Sequence, residues 1–212
     1  MIHRRVVKIY VQETEKPREA EELEKKEKEE NKIWVKIVLA GDSKVGKTTL
    51  AQAMIGKRVS NPEMTLGVDF VVKRLENTTI YISIFDLGGH KRFEKFRDLY
   101  YAGAMAIGLV FDLNNPESLK DIILWAEEME KAKKTAKGKL FQEIVLIGNK
   151  KDLLQMVSDK KIESMIRLLE EGYGIKVAAY VKTSAINGEG VEEAFWELVK
   201  VALRNFASSL YS

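Results

Sequence analysis

Gly41-Asp42-Ser43-Lys44-Val45-Gly46-Lys47-Thr48 fits the pattern G-x-x-x-x-G-K-[ST] without a gap. A polyphosphate needs several backbone N–H groups turned inward, and glycines let a loop wrap that closely. Lys47 brings positive charge to the β- and γ-phosphates, and the Thr48 hydroxyl can ligate Mg²⁺. The context is the required one. WVKIVLAG at 34–41 is an apolar, β-branched run that reads as a buried strand. Residues 47–55 read as a helix whose N-terminal dipole faces the anion, with Gly56 placed to end it. The loop alone specifies a nucleotide, not its base or its reaction.

Working outward, VDFVVKRL at 68–75 and TIYISIFD at 79–86 read as two strands joined at Glu76-Asn77, an antiparallel hairpin. MAIGLVFDL at 105–113 is a further buried strand, followed by a helix expected over 116–132. EIVLIGNKKD at 143–152 repeats the strand pattern, with a helix expected over 158–170. VAAYVKTSA at 177–185 is the last strand, and 191–206 the last helix, with Val191, Ala194, Phe195, Leu198, Val201 and Ala202 on one stripe. Strand–helix alternation of this kind predicts an α/β fold with a mostly parallel sheet and helices on both faces.

The domain organisation is an extension at 1–32 and a single domain at 33–207. Residues 2–12 alternate loosely, as a strand would, and Asn61-Pro62 marks an irregular segment. REAEELEKKEKEEN at 18–31 is charged and almost free of apolar residues, which suits a solvated helix or a disordered tail. Both a solubilising role and a partner-docking role fit it.

With 212 residues, 45% hydrophobic and 32% charged, the chain has an ordinary globular composition. A net charge of +3 is too small for a dedicated nucleic-acid binder, so no nucleic-acid partner is expected. The absence of cysteine excludes disulfides, cysteine-bound zinc and S-lipidation, and two histidines are too few for a histidine metal cluster. No apolar run approaches membrane-spanning length. Ile2 and the cysteine-free end of the sequence predict no lipid anchor, membrane contact only through other elements or partners, and a cytoplasmic location.

Three further motifs follow the loop in order. Asp86-Leu87-Gly88-Gly89 ends a strand, where a carboxylate can hold magnesium through water and Gly89 can offer its N–H to a γ-phosphate. Asn149-Lys150-Lys151-Asp152 follows another strand, and the Asp152 carboxylate can accept from guanine N1–H and the 2-amino group, a pairing adenine lacks. Thr183-Ser184-Ala185 ends the last strand, placing the Ala185 N–H to donate to guanine O6.

Together these motifs resemble the Ras superfamily of small GTPases over about residues 33–206. MTLGVDF at 64–70, RFEKFRDLYYAGAMAIGLVFDL at 92–113 and SAINGEGVEEAF at 184–195 resemble Rab proteins. DLGGH at 86–90 instead resembles the Arf-like coat GTPases of the Sar group. The resemblance implies a P-loop NTPase of the Ras-like G-domain type, a six-stranded, mostly parallel sheet with one antiparallel edge strand. It implies GTP or GDP and Mg²⁺ as ligands, and slow GTP hydrolysis serving a conformational switch. Effectors, exchange factors and GTPase-activating proteins are the implied partners of a monomer.

Carried over by position, the resemblance implies nucleotide contacts at Ser43, Lys44, Val45, Gly46, Lys47, Thr48, Thr49, Thr65, Gly89, Asn149, Lys150, Asp152, Ser184, Ala185 and Ile186. Magnesium falls to Thr48, Thr65 and Asp86, and catalysis to His90, Lys47 and Thr65. Thr65 matches the switch threonine that senses the γ-phosphate. His90 stands where most relatives place a water-orienting glutamine, a role imidazole can fill. Phe70, Phe85 and Tyr100 match an aromatic trio that reports the switch state to effectors, and equally fit plain core aromatics. Ser43 stands where Ras has glycine, and the segment between Gly56 and Thr65 holds no aromatic residue to cover the guanine edge; Arg58 is its one arginine. Two other classes fit parts of the pattern: a nucleotide-loaded scaffold with negligible hydrolysis, and a P-loop kinase or ATPase, which the NKKD segment opposes.

Overall fold

The structure, a computed structural model, describes residues 32–57, 67–89, 99–135 and 143–210. The apolar run after Lys32 forms β1 (Ile33–Ala40), whose last four residues are fully buried, as a central strand covered on both faces requires. The 41–46 loop leads into α1 (Lys47–Met54), closed by Gly56 at a φ of 80°. The chain returns as the hairpin β2 (Val68–Arg74) and β3 (Ile80–Leu87). Its turn places Asn77 at a φ of 56°, a left-handed conformation that asparagine tolerates.

After β4 (Ala106–Asp112) come α2 (Pro116–Lys120) and α3 (Ile122–Thr135), then β5 (Glu143–Asn149), α4 (Asp159–Arg167), β6 (Lys176–Lys182) and α5 (Val191–Leu210). The six strands lie in the order β2-β3-β1-β4-β5-β6, with β2 the antiparallel edge and the other pairings parallel. The expected Ras-like sheet is therefore present. Because five strands point the same way, the segments after β1, β3, β4, β5 and β6 all emerge along one edge of the sheet, where α/β proteins bind ligands.

Two apolar layers flank the sheet. Leu50 and Met54 of α1 pack with Phe195 and Leu198 of α5 on one face, against Ile37, Ile82 and Val145. Ile122, Trp125 and Met129 of α3 and Ile162 and Met165 of α4 cover the other, against Val38, Leu109 and Leu146.

The helices differ from expectation in detail. The helix expected over 116–132 is divided at Asp121, whose carbonyl accepts from Leu124 N–H at 3.0 Å, tightening that turn. The helix expected over 158–170 loosens into a π turn at Leu168–Gly172, after which Ile175 N–H returns to the Leu169 carbonyl. The last helix runs beyond 206 to Leu210. At the opposite end of the sheet from the loops, Glu143 pairs with Lys176 and, at 2.7 Å, with Arg204; the Lys176 hydrogen bond holds its carboxyl below the usual range. Among the described residues no helix is long and apolar enough to cross a membrane. The strand and helix expected within 1–31, and Asn61-Pro62, lie outside the described residues.

Candidate functional site

The phosphate-loop sequence does form a loop between β1 and α1, and its geometry explains its residues. Gly46 has a φ of 94°, and a Cβ there would stand 2.4 Å from Asn149 Nδ2, so only glycine fits. Lys47 opens α1 and is 6% exposed; its ammonium donates to the Gly41 and Asp42 carbonyls at 2.8 and 2.7 Å. A buried ammonium needs such partners, and here the loop wraps it. α1 carries no acidic residue in its first turn and no side-chain cap, whereas α2, α4 and α5 begin with Glu117, Asp159 and Glu192. The positive end of its dipole therefore favours an anion, with no carboxylate of its first turn competing for it.

Thr48 Oγ1 donates to Asp86 Oδ2 at 2.5 Å, bringing together two of the expected magnesium ligands across 38 residues. Asp86 is 2% exposed at the end of β3. Gly89 lies directly against the loop, since a Cβ on it would meet Ser43 N at 2.3 Å. Gly88 N–H donates to Gly67 O at 2.8 Å, tying this segment to the start of β2. Thr65 and His90 lie outside the described residues.

At the other end, Asn149 is buried and makes three bonds. Its Nδ2 donates to Val45 O at 2.9 Å, and its Oδ1 accepts from Thr183 Oγ1 at 3.0 Å and from Ala185 N–H at 3.2 Å. One side chain thus fastens the phosphate loop to both expected base-reading segments. Ser184 Oγ donates to Asp152 Oδ1 at 2.5 Å, orienting that carboxylate, and Lys151 N–H reaches Thr183 O at 2.9 Å. Ile186 is 78% exposed beside them.

Two contributors went unassigned from sequence. Thr183 holds Asn149 through its hydroxyl, a role that its motif does not specify. Asp112 ends β4 and pairs with Lys150 Nζ at 2.7 Å while its Oδ1 accepts from Asn114 N–H at 2.8 Å. This pairing accompanies a left-handed Lys150, φ 65°. The available signal was a lone carboxylate ending a buried strand, the same position that singled out Asp86.

Of the aromatic trio, Phe70 is exposed and stacks on Phe85 at 5.7 Å; Phe85 and Tyr100 are half-buried against the core. A cavity of about 590 Å³ between the end of α1, the β2–β3 hairpin and α5 is lined by none of the expected site residues. Convergence of strand ends, not volume, locates this site.

A model of the Ras family matches residues 36–204 of the chain. The chain is 34% identical over 175 residues to the Ras-related protein Rab-1D of Dictyostelium discoideum, covering 81% of this chain and 80% of that protein. It is 36% identical over 171 residues to Rab-8B of the same organism, covering 78% of each. Against Rab7 of Cenchrus ciliaris it is 34% identical over 178 residues, 81% of this chain and 83% of that protein.

Proposed function

Because the chain belongs to the Ras family, we propose that one guanine nucleotide with Mg²⁺ reaches from the 41–48 loop to the 149–152 and 183–186 segments. The protein is a small GTPase, hydrolysing GTP and acting as a switch. Members of the family bind GTP or GDP with Mg²⁺ and work with effectors, exchange factors and activating proteins. The observation that supports this placement is the Asn149 bridge, which sets the phosphate loop and the base-reading segments at a fixed separation.

In this reading residues 33–207 are the G domain and 1–32 an extension. Ser43, Lys44, Val45, Gly46, Lys47, Thr48 and Thr49 cradle the phosphates, with Gly89 at the γ end. Asn149, Lys150, Asp152, Ser184, Ala185 and Ile186 surround the base. The Thr48 hydroxyl and Asp86 carboxylate are both oxygen donors, held within 2.5 Å, and suit a hard cation that takes its remaining ligands from phosphate and water. When bound, the ion neutralises phosphate charge. Thr65 completes that end, and His90, in a DLGGH segment resembling the Sar group, orients the attacking water.

Single-turnover phosphate release tests this reading. His90→Ala is expected to lower the rate by roughly 10²-fold while leaving nucleotide affinity unchanged. A variant at the wild-type rate removes His90 from the reading, and a wild type that releases no phosphate above background contradicts the placement of hydrolysis here.

Asp112 positions Lys150 rather than touching the nucleotide. Asp112→Asn keeps an oxygen for Asn114 N–H but loses the charge facing Lys150. Dissociation of a fluorescent GDP analogue is expected to accelerate about 5-fold, from a contact worth about 1 kcal/mol.

A further inference from the structure

The cavity between the end of α1, the β2–β3 hairpin and α5 holds about 590 Å³, a volume that suits a small molecule. Its floor is apolar: Met54 of α1, Leu75 just after β2 and Phe195 of α5 are all buried there. Trp196 adds to the wall, 43% exposed and edge-on to Phe195 at a ring separation of 5.3 Å. An indole half in solvent beside a cavity offers apolar area to whatever enters. A Cβ on Gly56 or Gly188, which also line the cavity, would meet nothing within 4 Å, so the mouth is open.

Lys73 brings a positive charge into these apolar walls. Its ammonium donates to Met54 O at 2.9 Å and lies 4.5 Å from the centre of the Phe195 ring. An ammonium carries three donors, and one carbonyl and one ring face leave it capacity for an anion. Among the described residues no carboxylate pairs with it. Glu76 and Glu192 also line the cavity, but both are exposed. The positive charge thus stands against a buried ring, and the negative charges stand in water. An anion reaching Lys73 gains a charge-assisted bond, while solvent screens its repulsion from the two exposed carboxylates.

We propose that this cavity is a second binding site, separate from the nucleotide site, which takes a monocarboxylate with an aromatic body. The carboxylate bonds the Lys73 ammonium, and the ring lies against Met54, Phe195 and Trp196. Glu76 and Glu192 at the mouth favour a ligand with a single negative charge.

The probe is phenylbutyrate, titrated into the full chain with GDP present, and phenylbutanol is the uncharged control. The readout is the NMR resonance of the Trp196 indole N–H, assigned with Trp196→Phe. The acid is expected to shift it saturably with a Kd of about 1 mM. The alcohol, and the acid with Lys73→Met, are each expected to bind roughly tenfold more weakly, while Lys73→Arg keeps the charge and stays within about threefold of wild type. GDP affinity is expected to be unchanged in both variants. A resonance that does not saturate by about 20 mM acid overturns the inference. So does an alcohol that binds as tightly as the acid, or a folded Lys73→Met that binds the acid at wild-type affinity. A matching loss of GDP affinity in Lys73→Met would merge the two sites and overturn it too. If Lys73→Met does not fold, the comparison of acid with alcohol on the wild-type protein decides alone.

Discussion

Lys47→Ala is expected to weaken binding of both GTP and GDP by roughly 10²–10³-fold, measured by displacement of a fluorescent guanine nucleotide. The magnitude follows from burial. Lys47 is 6% exposed, and its ammonium is enclosed by the Gly41 and Asp42 carbonyls. Removing it takes away the buried lysine charge of the loop and leaves two carbonyls without their ammonium. Loss of one partner of a buried charged contact costs about 3–5 kcal/mol. The sheet does not depend on this side chain, so the circular dichroism of the variant is expected to match wild type. Unaltered affinity in a folded Lys47→Ala would show that the phosphates bind elsewhere.

Asp152→Asn is expected to change what is bound as much as how tightly. Asp152 is oriented by the Ser184 hydroxyl at 2.5 Å, a bond the asparagine oxygen can keep. The second oxygen becomes an NH₂ group, which faces the guanine 2-amino group donor to donor. Two polar groups left unsatisfied in a partly buried contact cost about 2–4 kcal/mol, so GTP affinity is expected to fall by roughly 10²-fold. Xanthosine triphosphate carries a carbonyl at C2 and would accept from the new NH₂ group. Its affinity relative to GTP is therefore expected to rise in the variant, and an unchanged ratio between the two would remove Asp152 from base recognition.

Much of this site was legible because its chemistry is local in sequence. The 41–48 spacing is a backbone requirement, and the structure meets it with a left-handed Gly46 packed on Asn149. The antiparallel edge strand was legible at Glu76-Asn77, since asparagine accepts the conformation the turn needs. The division at Asp121 and the π turn at Leu168–Gly172 were not, because packing sets them with no proline at either place. Asp112 offers only its place at the end of a strand, since its partner Lys150 is 38 residues distant and the pairing itself leaves no local mark. The reach of Lys36 to Ala102 is longer still, and only the folded sheet brings them together.

Equilibrium competition of GTP and ATP against a fluorescent GDP analogue, with Mg²⁺ present, bears most directly on the joined phosphate and base ends. A base reader of two paired contacts predicts that GTP displaces the analogue at a concentration roughly 10³-fold or more below that of ATP. Equal displacement by the two nucleotides would contradict the placement of guanine between Asp152 and Ala185.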